Sequence, residues 1–420
     1  MAYGASPYDE PLKTAWASFC DHLKAAGDYV FKDANPAAAL HRAAGFRYLT
    51  QNMSHAFDFA LETWNTRYPA LMVIDSPTRK LGSQNADGIY LQAWIDGQSV
   101  YRLSGKKGTA RFLNIAAHDG PPSASAYGVE MSRPLHDPFG DRPSANVFGH
   151  DLTTNWDGSF ELFIGGERQG RNWLPTTENT RKIFIRQFFD SWDEEPASFR
   201  IERVDMDGPR PMPTPEDVMA AMRWAETFVV NCVKEWPDWL WEAGDQLDPE
   251  AINQFAGPNL RAEKPWSTET ETVDRRRGRL ITMMRWGLES DEALILEFDN
   301  YDGFWMITNE GLFGDGMEHL YRPISFTPSR TAVDQDGKIR LVMAAQDPGY
   351  ANWIDNQGFT SGIATFRNIH ARVAPDLRTK VVKTADLPQH MPKDAKMSSR
   401  EDRAAELWAR YNAIRRRFPV

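Results

Sequence analysis

Ile89-Tyr90-Leu91-Gln92-Ala93-Trp94-Ile95 is the stretch on which the reading of the fold turns. It is rich in β-branched and aromatic residues, and Asp96-Gly97 after it signals a tight turn. Val100-Tyr101-Arg102-Leu103 is then expected as the returning strand of a hairpin. The same pattern recurs downstream. Strands are predicted over 160–164, 183–189 and 199–204, and again over 292–298, 304–308, 339–345 and 362–373. Asp157-Gly158, Gly165-Gly166 and Asp336-Gly337 punctuate them. Short strands at this density point to sandwiches or jelly rolls rather than a parallel α/β sheet.

Helical spacing frames these blocks. Leu12, Trp16, Cys20 and Leu23 predict a helix near the start, and Leu40, Ala44, Tyr48, Ala56, Ala60 and Trp64 a second. Thr214-Pro215-Glu216-Asp217 is a helix start, and Pro237 is expected to end or kink that helix. Ala404, Leu407, Tyr411 and Ile414 predict an apolar stripe on a basic terminal helix packed on the body, with contact to a partner or another copy as the alternative. The fold class is therefore mainly β with helical additions. The expected parts are a helical N-terminal section (1–68), a first β-sandwich domain (69–207), a helical connector (208–278), a second β-sandwich domain (279–390) and a C-terminal helix (391–420).

Composition narrows the function. The 420 residues hold 48 Lys and Arg against 58 Asp and Glu, a net charge of −10, which argues against nucleic acid as a partner. The longest apolar runs are only a few residues, too short for a membrane helix, and no leader pattern is visible around Asp9 and Glu10. Cys20 and Cys232 are too few for a disulfide framework. Both are expected as buried thiols in a reducing cytoplasm. No Gly-x-Ser-x-Gly, phosphate-loop, paired-cysteine or His-Glu-x-x-His motif occurs, and no nucleophile stands out. Arg275-Arg276-Arg277-Gly278-Arg279 reads as a solvated loop or ion-pair partner. His118-Asp119, His136-Asp137 and His150-Asp151 offer metal-ligating chemistry, but turn-forming Asp is the plainer explanation. No cofactor is expected, a divalent metal on His118, His136 and His150 being the alternative.

The run from Asp347 to Gly358 is the most distinctive. Asp347-Pro348-Gly349 forces a loop, and Asn352, Asp355 and Asn356 with Trp353 could bind a polar ligand or brace backbone. Arg367 and Arg186 lie in apolar strands and need an acceptor there. These residues, with Phe304-Trp305, Asn309, Tyr321-Arg322-Pro323, Asn85-Ala86-Asp87-Gly88-Ile89-Tyr90, Asn172-Trp173-Leu174 and Asp190-Ser191-Trp192, resemble a known family. It is the family carrying the domain of unknown function numbered 1214, related to that numbered 1254. The resemblance covers about 85–203 and 291–382, and 279–390 is read as the 1214-like domain. It implies β-sandwich or jelly-roll assemblies with helical additions and leaves the activity open. In relatives a His commonly follows the glycine that is here Gly358, and this chain has Phe359.

The expectation is an enzyme acting on a small organic metabolite, aromatic or ring-containing ones included, by hydrolytic or lyase-type acid–base chemistry. The alternative is a non-catalytic binding protein for a carbohydrate or an apolar metabolite, and a third reading is a structural module. The candidate catalytic residues are Asp87, Asp355, Tyr90 and Tyr321. The candidate ligand contacts are Asn85, Arg186, Trp305, Asn309, Arg322, Asn352, Trp353 and Arg367. The enzyme reading requires Asp87, Arg186, Asp355 and Arg367 to meet around one pocket.

Overall fold

The computed structural model describes residues 4–33, 35–82, 85–120, 142–242, 251–255, 279–370 and 375–418. His136 and residues 275–278 of the basic run lie outside them. Two sandwiches and a helical layer make up the fold. The first sandwich pairs a five-stranded sheet with a four-stranded one. The larger sheet runs β1 (Met72–Val73), β2 (Gly88–Trp94), β8 (Thr180–Phe188), β4 (Phe112–Asp119), β5 (Arg142–Phe148). The smaller runs β7 (Trp173–Leu174), β6 (Ser159–Ile164), β3 (Tyr101–Lys106), β9 (Ser198–Arg203). Ala93, Leu103, Ile115, Leu162, Ile183, Ile185 and Ile201 fill the space between them.

The expected hairpin does not form. β3 pairs with β6 and β9 and crosses to the other sheet, while β2 keeps β1 and β8 as neighbours. The corner is built at Gly97, where an added Cβ would stand 1.9 Å from the Thr177 carbonyl oxygen. Tyr101 completes it, its hydroxyl accepting from Asp96 N and donating to Thr66 O.

The second sandwich stacks β10 (Arg279–Gly287), β16 (Ser361–Ile369), β12 (Phe304–Glu310), β13 (Ser325–Phe326) on β15 (Trp353–Asp355), β14 (Lys338–Ala344), β11 (Glu292–Asp299), β17 (Arg378–Lys383). Trp286, Trp305, Phe298 and Phe366 dominate its core. The five-stranded sheet of the first sandwich and the β10–β16–β12–β13 sheet of the second also pack against each other by their outer faces. Phe112 and Phe188 of one pack with Phe304, Met306 and Ile369 of the other. This explains why every residue of β12 is buried on both faces.

Helices α1 (Asp9–Asp28), α2 (Ala39–Phe57) and α3 (Pro215–Glu242) cover one side of this seam. α1 turns a different face inward from the one expected. Phe19 and Ala26 are buried, whereas Trp16 and Cys20 are exposed. Cys232 is buried as expected. Pro237 does not end α3, which continues to Glu242. A one-turn helix α4 (Leu387–His390) precedes α5 (Arg400–Arg417). Ser399 and Asp402 cap α5 reciprocally. Its buried face carries Arg403, Arg410, Ala413, Ile414 and Arg417. Ala404 of the expected stripe is exposed and Ile414 is buried. The N-terminal and C-terminal helices and the mainly β body agree with the expected fold class. No helix among the described residues is long and apolar enough to cross a membrane.

Candidate functional site

The predicted site residues have separate partners. Asp87, just before β2, has no exposed surface. Arg330 Nη2 stands 2.6 Å from it and Arg417 Nη1 3.8 Å away. Burial alone would raise its pKa, but Arg330, Arg410 and Arg417 outweigh that and hold the carboxyl below its ordinary range. Asn85 Oδ1 accepts from Asp87 N at 3.0 Å and so shapes the chain there. Tyr90 packs edge-on against Phe184 and Phe188 in the seam. Arg186 stacks on Phe184 and donates to Asn114 Oδ1. Arg367 faces Glu310 at 3.5 Å. Trp305 is core, stacked on Phe366. Asn309 accepts from the Trp286 indole at 2.8 Å. Asn352 braces the backbone of Ala332 and Arg340, and Trp353 donates to Ala344 O. Tyr321 stacks outward on Tyr411 and is exposed.

Asp87, Arg186, Asp355 and Arg367 therefore each have partners of their own, and none of them lines the cleft described below. The histidines do not gather either. His118 stacks on Phe184, while His150 is exposed beside Phe148 and His370, so the two stand at opposite ends of the β4–β5 ladder. Among the described residues no group of three or more His, Cys, Asp or Glu could hold a metal ion.

A cleft of about 250 Å³ opens elsewhere, between α2 and the loop after β12. Leu40, Ala43, Ala44, Arg47, Tyr48 and Gln51 of α2 form one wall. Lys80, the 315–318 segment, Arg322, Gln357 and Phe359 form the other. Close packing of α2 is possible because of Gly45, where a Cβ would meet Val30 at 2.6 Å and Phe313 at 2.8 Å. Gly311 makes the turn that presents Asp315, since a Cβ there would stand 2.2 Å from Asp315 Oδ1.

The cleft collects displaced titrations. Lys80 is 1% exposed, and its Nζ sits 2.7 Å from His319 Nδ1. Burial lowers its pKa to about 8, against the opposing pull of Asp75, Glu318 and Asp315. Asp315 is 9% exposed, and burial raises it to about 6 despite hydrogen bonds from its own loop. Burial holds His319 well below its ordinary value, with Lys80 adding to the effect, so its ring is neutral and can accept from Lys80. Burial likewise raises the Tyr48 hydroxyl. Behind Lys80, Asp75 is pushed well up by burial and feels Lys80, Glu310 and Arg367. A line of charge thus connects the cleft with the seam between the sandwiches.

Arg322 is the one predicted ligand contact on this wall. Its Nη1 donates to Asp355 Oδ2 at 2.7 Å, and Gln357 N donates to Asp355 Oδ1 at the same distance. Asp355 is thus one step behind the cleft, positioning Arg322. Its pKa is raised by burial, against those two bonds. Phe359, where the resemblance led one to expect His, lines the cleft and meets the His41 ring edge-on at 5.1 Å. Sequence reasoning missed Lys80, Asp315, Tyr48, Arg47 and Gln357. The only available signal was the Gly311-Leu312-Phe313-Gly314-Asp315-Gly316 run, an acid in a glycine-rich loop.

One solved structure shares this fold. The structure is similar to the crystal structure of an uncharacterised protein from Burkholderia cenocepacia, with 26% identity, a TM-score of 0.76, and 88% of this chain and 97% of that one covered. A Vibrio parahaemolyticus protein matches with 13% identity and a TM-score of 0.43, over 80% of this chain and 97% of that one. No curated protein matches. The family model described as "Protein of unknown function (DUF1214)" matches residues 86–189, within the first of the two stretches of resemblance. Residues 86–189, which form much of the first sandwich, are thus the part of the chain that is similar to the family of unknown function 1214.

Proposed function

We propose that this protein is an enzyme that binds a small organic anion in the α2 cleft and acts on it by acid–base chemistry. The observation that carries this reading is that Lys80 and Asp315 line the same cleft, one base-like and one acid-like group moved toward neutrality. Arg47 and Arg322 line the same cleft with solvent-reaching side chains, so a carboxylate has cationic partners there. Leu40 and Phe359 supply an apolar wall for its carbon skeleton. The volume suits a metabolite smaller than a drug-sized molecule. Free thiols at Cys20 and Cys232 fit a reducing compartment, which favours the cytoplasm. A hydrolase and a lyase both fit the acid–base pair.

The test is a thermal-shift panel of small monocarboxylates, dicarboxylates and their uncharged amides on the full chain. The acids should stabilise the wild type and fail to stabilise Arg322→Ala. Stabilisation by amides and acids alike, or acid binding unaffected in Arg322→Ala, would overturn the reading. The second reading, a binding protein, is favoured by the apolar wall, and predicts binding that survives Asp315→Asn without any turnover.

A further inference from the structure

We propose that Lys80 is a nucleophile that forms an imine with a small 2-oxo acid held in the α2 cleft. The inference rests on the reading of that cleft as a small-anion site and adds the reacting group and the substrate class. Lys80 lines the cleft, and its Nζ is fixed by His319 Nδ1 at 2.7 Å and the Met317 carbonyl at 3.5 Å. A lysine so placed is held by one short contact to His319 and largely removed from water, which is the setting in which an amine becomes a nucleophile. A neutral imidazole accepts a hydrogen bond from the amine in either of its protonation states, so the anchor survives deprotonation. Burial brings the ammonium to about 8, leaving a reactive fraction near neutral pH.

The rest of the cleft matches the other half of a 2-oxo acid. Arg322 is oriented by Asp355 and, with Arg47, can take the carboxylate. Asp315 lies on the same wall as Lys80, and each shifts the other's titration. Its pKa of about 6 suits a group that must both give and take a proton.

The step balances without any further reactant. Neutral Lys80 Nζ attacks the carbonyl carbon, and the C–N bond forms as the carbonyl π pair moves to oxygen. Protonated Asp315 gives that oxygen a proton and then takes one from the nitrogen. It next protonates the hydroxyl, which leaves as water while the nitrogen lone pair closes the C=N bond. The products are an iminium on Lys80, one water and ionised Asp315. The iminium is an electron sink for cleaving a bond to the neighbouring carbon, which belongs to lyase chemistry.

The experiment is borohydride trapping on the full chain with pyruvate, 2-oxobutyrate and glyoxylate, read by intact mass and peptide mapping. Thermal shift with the same acids and with lactate runs in parallel. The expected result is one reduced adduct per chain on the peptide containing Lys80, absent in Lys80→Arg and Lys80→Met and strongly reduced in Arg322→Ala. Lysine labels scattered over the surface, or unmodified Lys80 with every acid, would overturn the imine. If Lys80 stays unmodified while lactate and pyruvate still stabilise the wild type in an Arg322-dependent way, the small-anion reading stands and the imine falls. If neither labelling nor Arg322-dependent stabilisation is seen, both fall. The Lys80→Arg variant keeps a cation beside His319, so a folding failure of Lys80→Met does not leave the test empty.

Discussion

At Asp315 a carboxyl group is held where its ionisation is unfavourable. Its folded pKa of about 6 lies above the ordinary 3.8. Below pH ~4 it is protonated folded or unfolded, and no penalty arises. As pH rises from ~4 to ~6 the unfolded chain ionises first, and the folded state loses stability, fully so above ~6. Asp315→Asn should therefore be more stable than the wild type at pH 7, by up to about 3 kcal/mol, with the difference vanishing toward pH 4. Urea titrations at the two pH values measure this, and the same variant should lose turnover. Lys80 carries the converse sign. Its folded pKa is about 8 against 10.5, so the cost of its charge is present below pH ~8 and relieved between ~8 and ~10.5. Because the imine step needs neutral Lys80 together with protonated Asp315, its pH–rate profile should rise up to about pH 6, run level to about 8 and fall above that. Neither residue was legible from the chain alone. Lys80 sits in an unremarkable polar stretch, and burial is what gives it chemistry. Arg322 was legible because Tyr321-Arg322-Pro323 stood out, yet its neighbour Tyr321 faces solvent.

Among the elements, α5 departs furthest from its sequence pattern. Hydrophobic periodicity names Ala404, Leu407, Tyr411 and Ile414, but the face that enters the body is built largely from arginines. Arg403 pairs with Asp347 at 2.9 Å and donates to Tyr350 O at 2.7 Å. Arg410 donates to Ser325 O at 3.0 Å, and Arg417 reaches Ser191 O at 3.1 Å. Trp192 lies under the guanidinium groups of Arg330, Arg410 and Arg417. Periodicity scores residue type and cannot count acceptors waiting on another element, which is why this face was hidden. Arg417→Ala should cost about 3 kcal/mol, because it strips a partner from a buried carboxylate. The Asp87 pKa is depressed, so this contribution is present above pH ~4 and lost as pH falls through the lower folded value. Denaturation at pH 7 and pH 3 should show the variant's deficit shrinking in acid. In α2, Gly45→Val should be destabilising by several kcal/mol and should close or distort the cleft, seen as loss of acid-dependent thermal shift.

Over the whole molecule, the strand positions and the mainly β class were readable because alternation and turn residues are local. The partner of each strand was not, as the crossing of β3 to the second sheet shows. Nor was the seam, where Phe112 and Phe188 meet Phe304, Met306 and Ile369 across the two sandwiches. A shared apolar layer of this kind couples the halves. Calorimetry should therefore show one transition, and residues 1–207 expressed alone should be insoluble or lack a cooperative transition, since their outer sheet face would be bare.

Asp87 and Arg417 stand 330 positions apart along the chain. While a ribosome is still making the second sandwich, the carboxylate of the first has neither Arg330, Arg410 nor Arg417 to neutralise it. Native burial of that acid must wait until Arg417 has been made, so the loop to be closed spans 330 residues. Folding should accordingly be slow and largely post-translational, with the last turn of α5 setting when the first sandwich can finish.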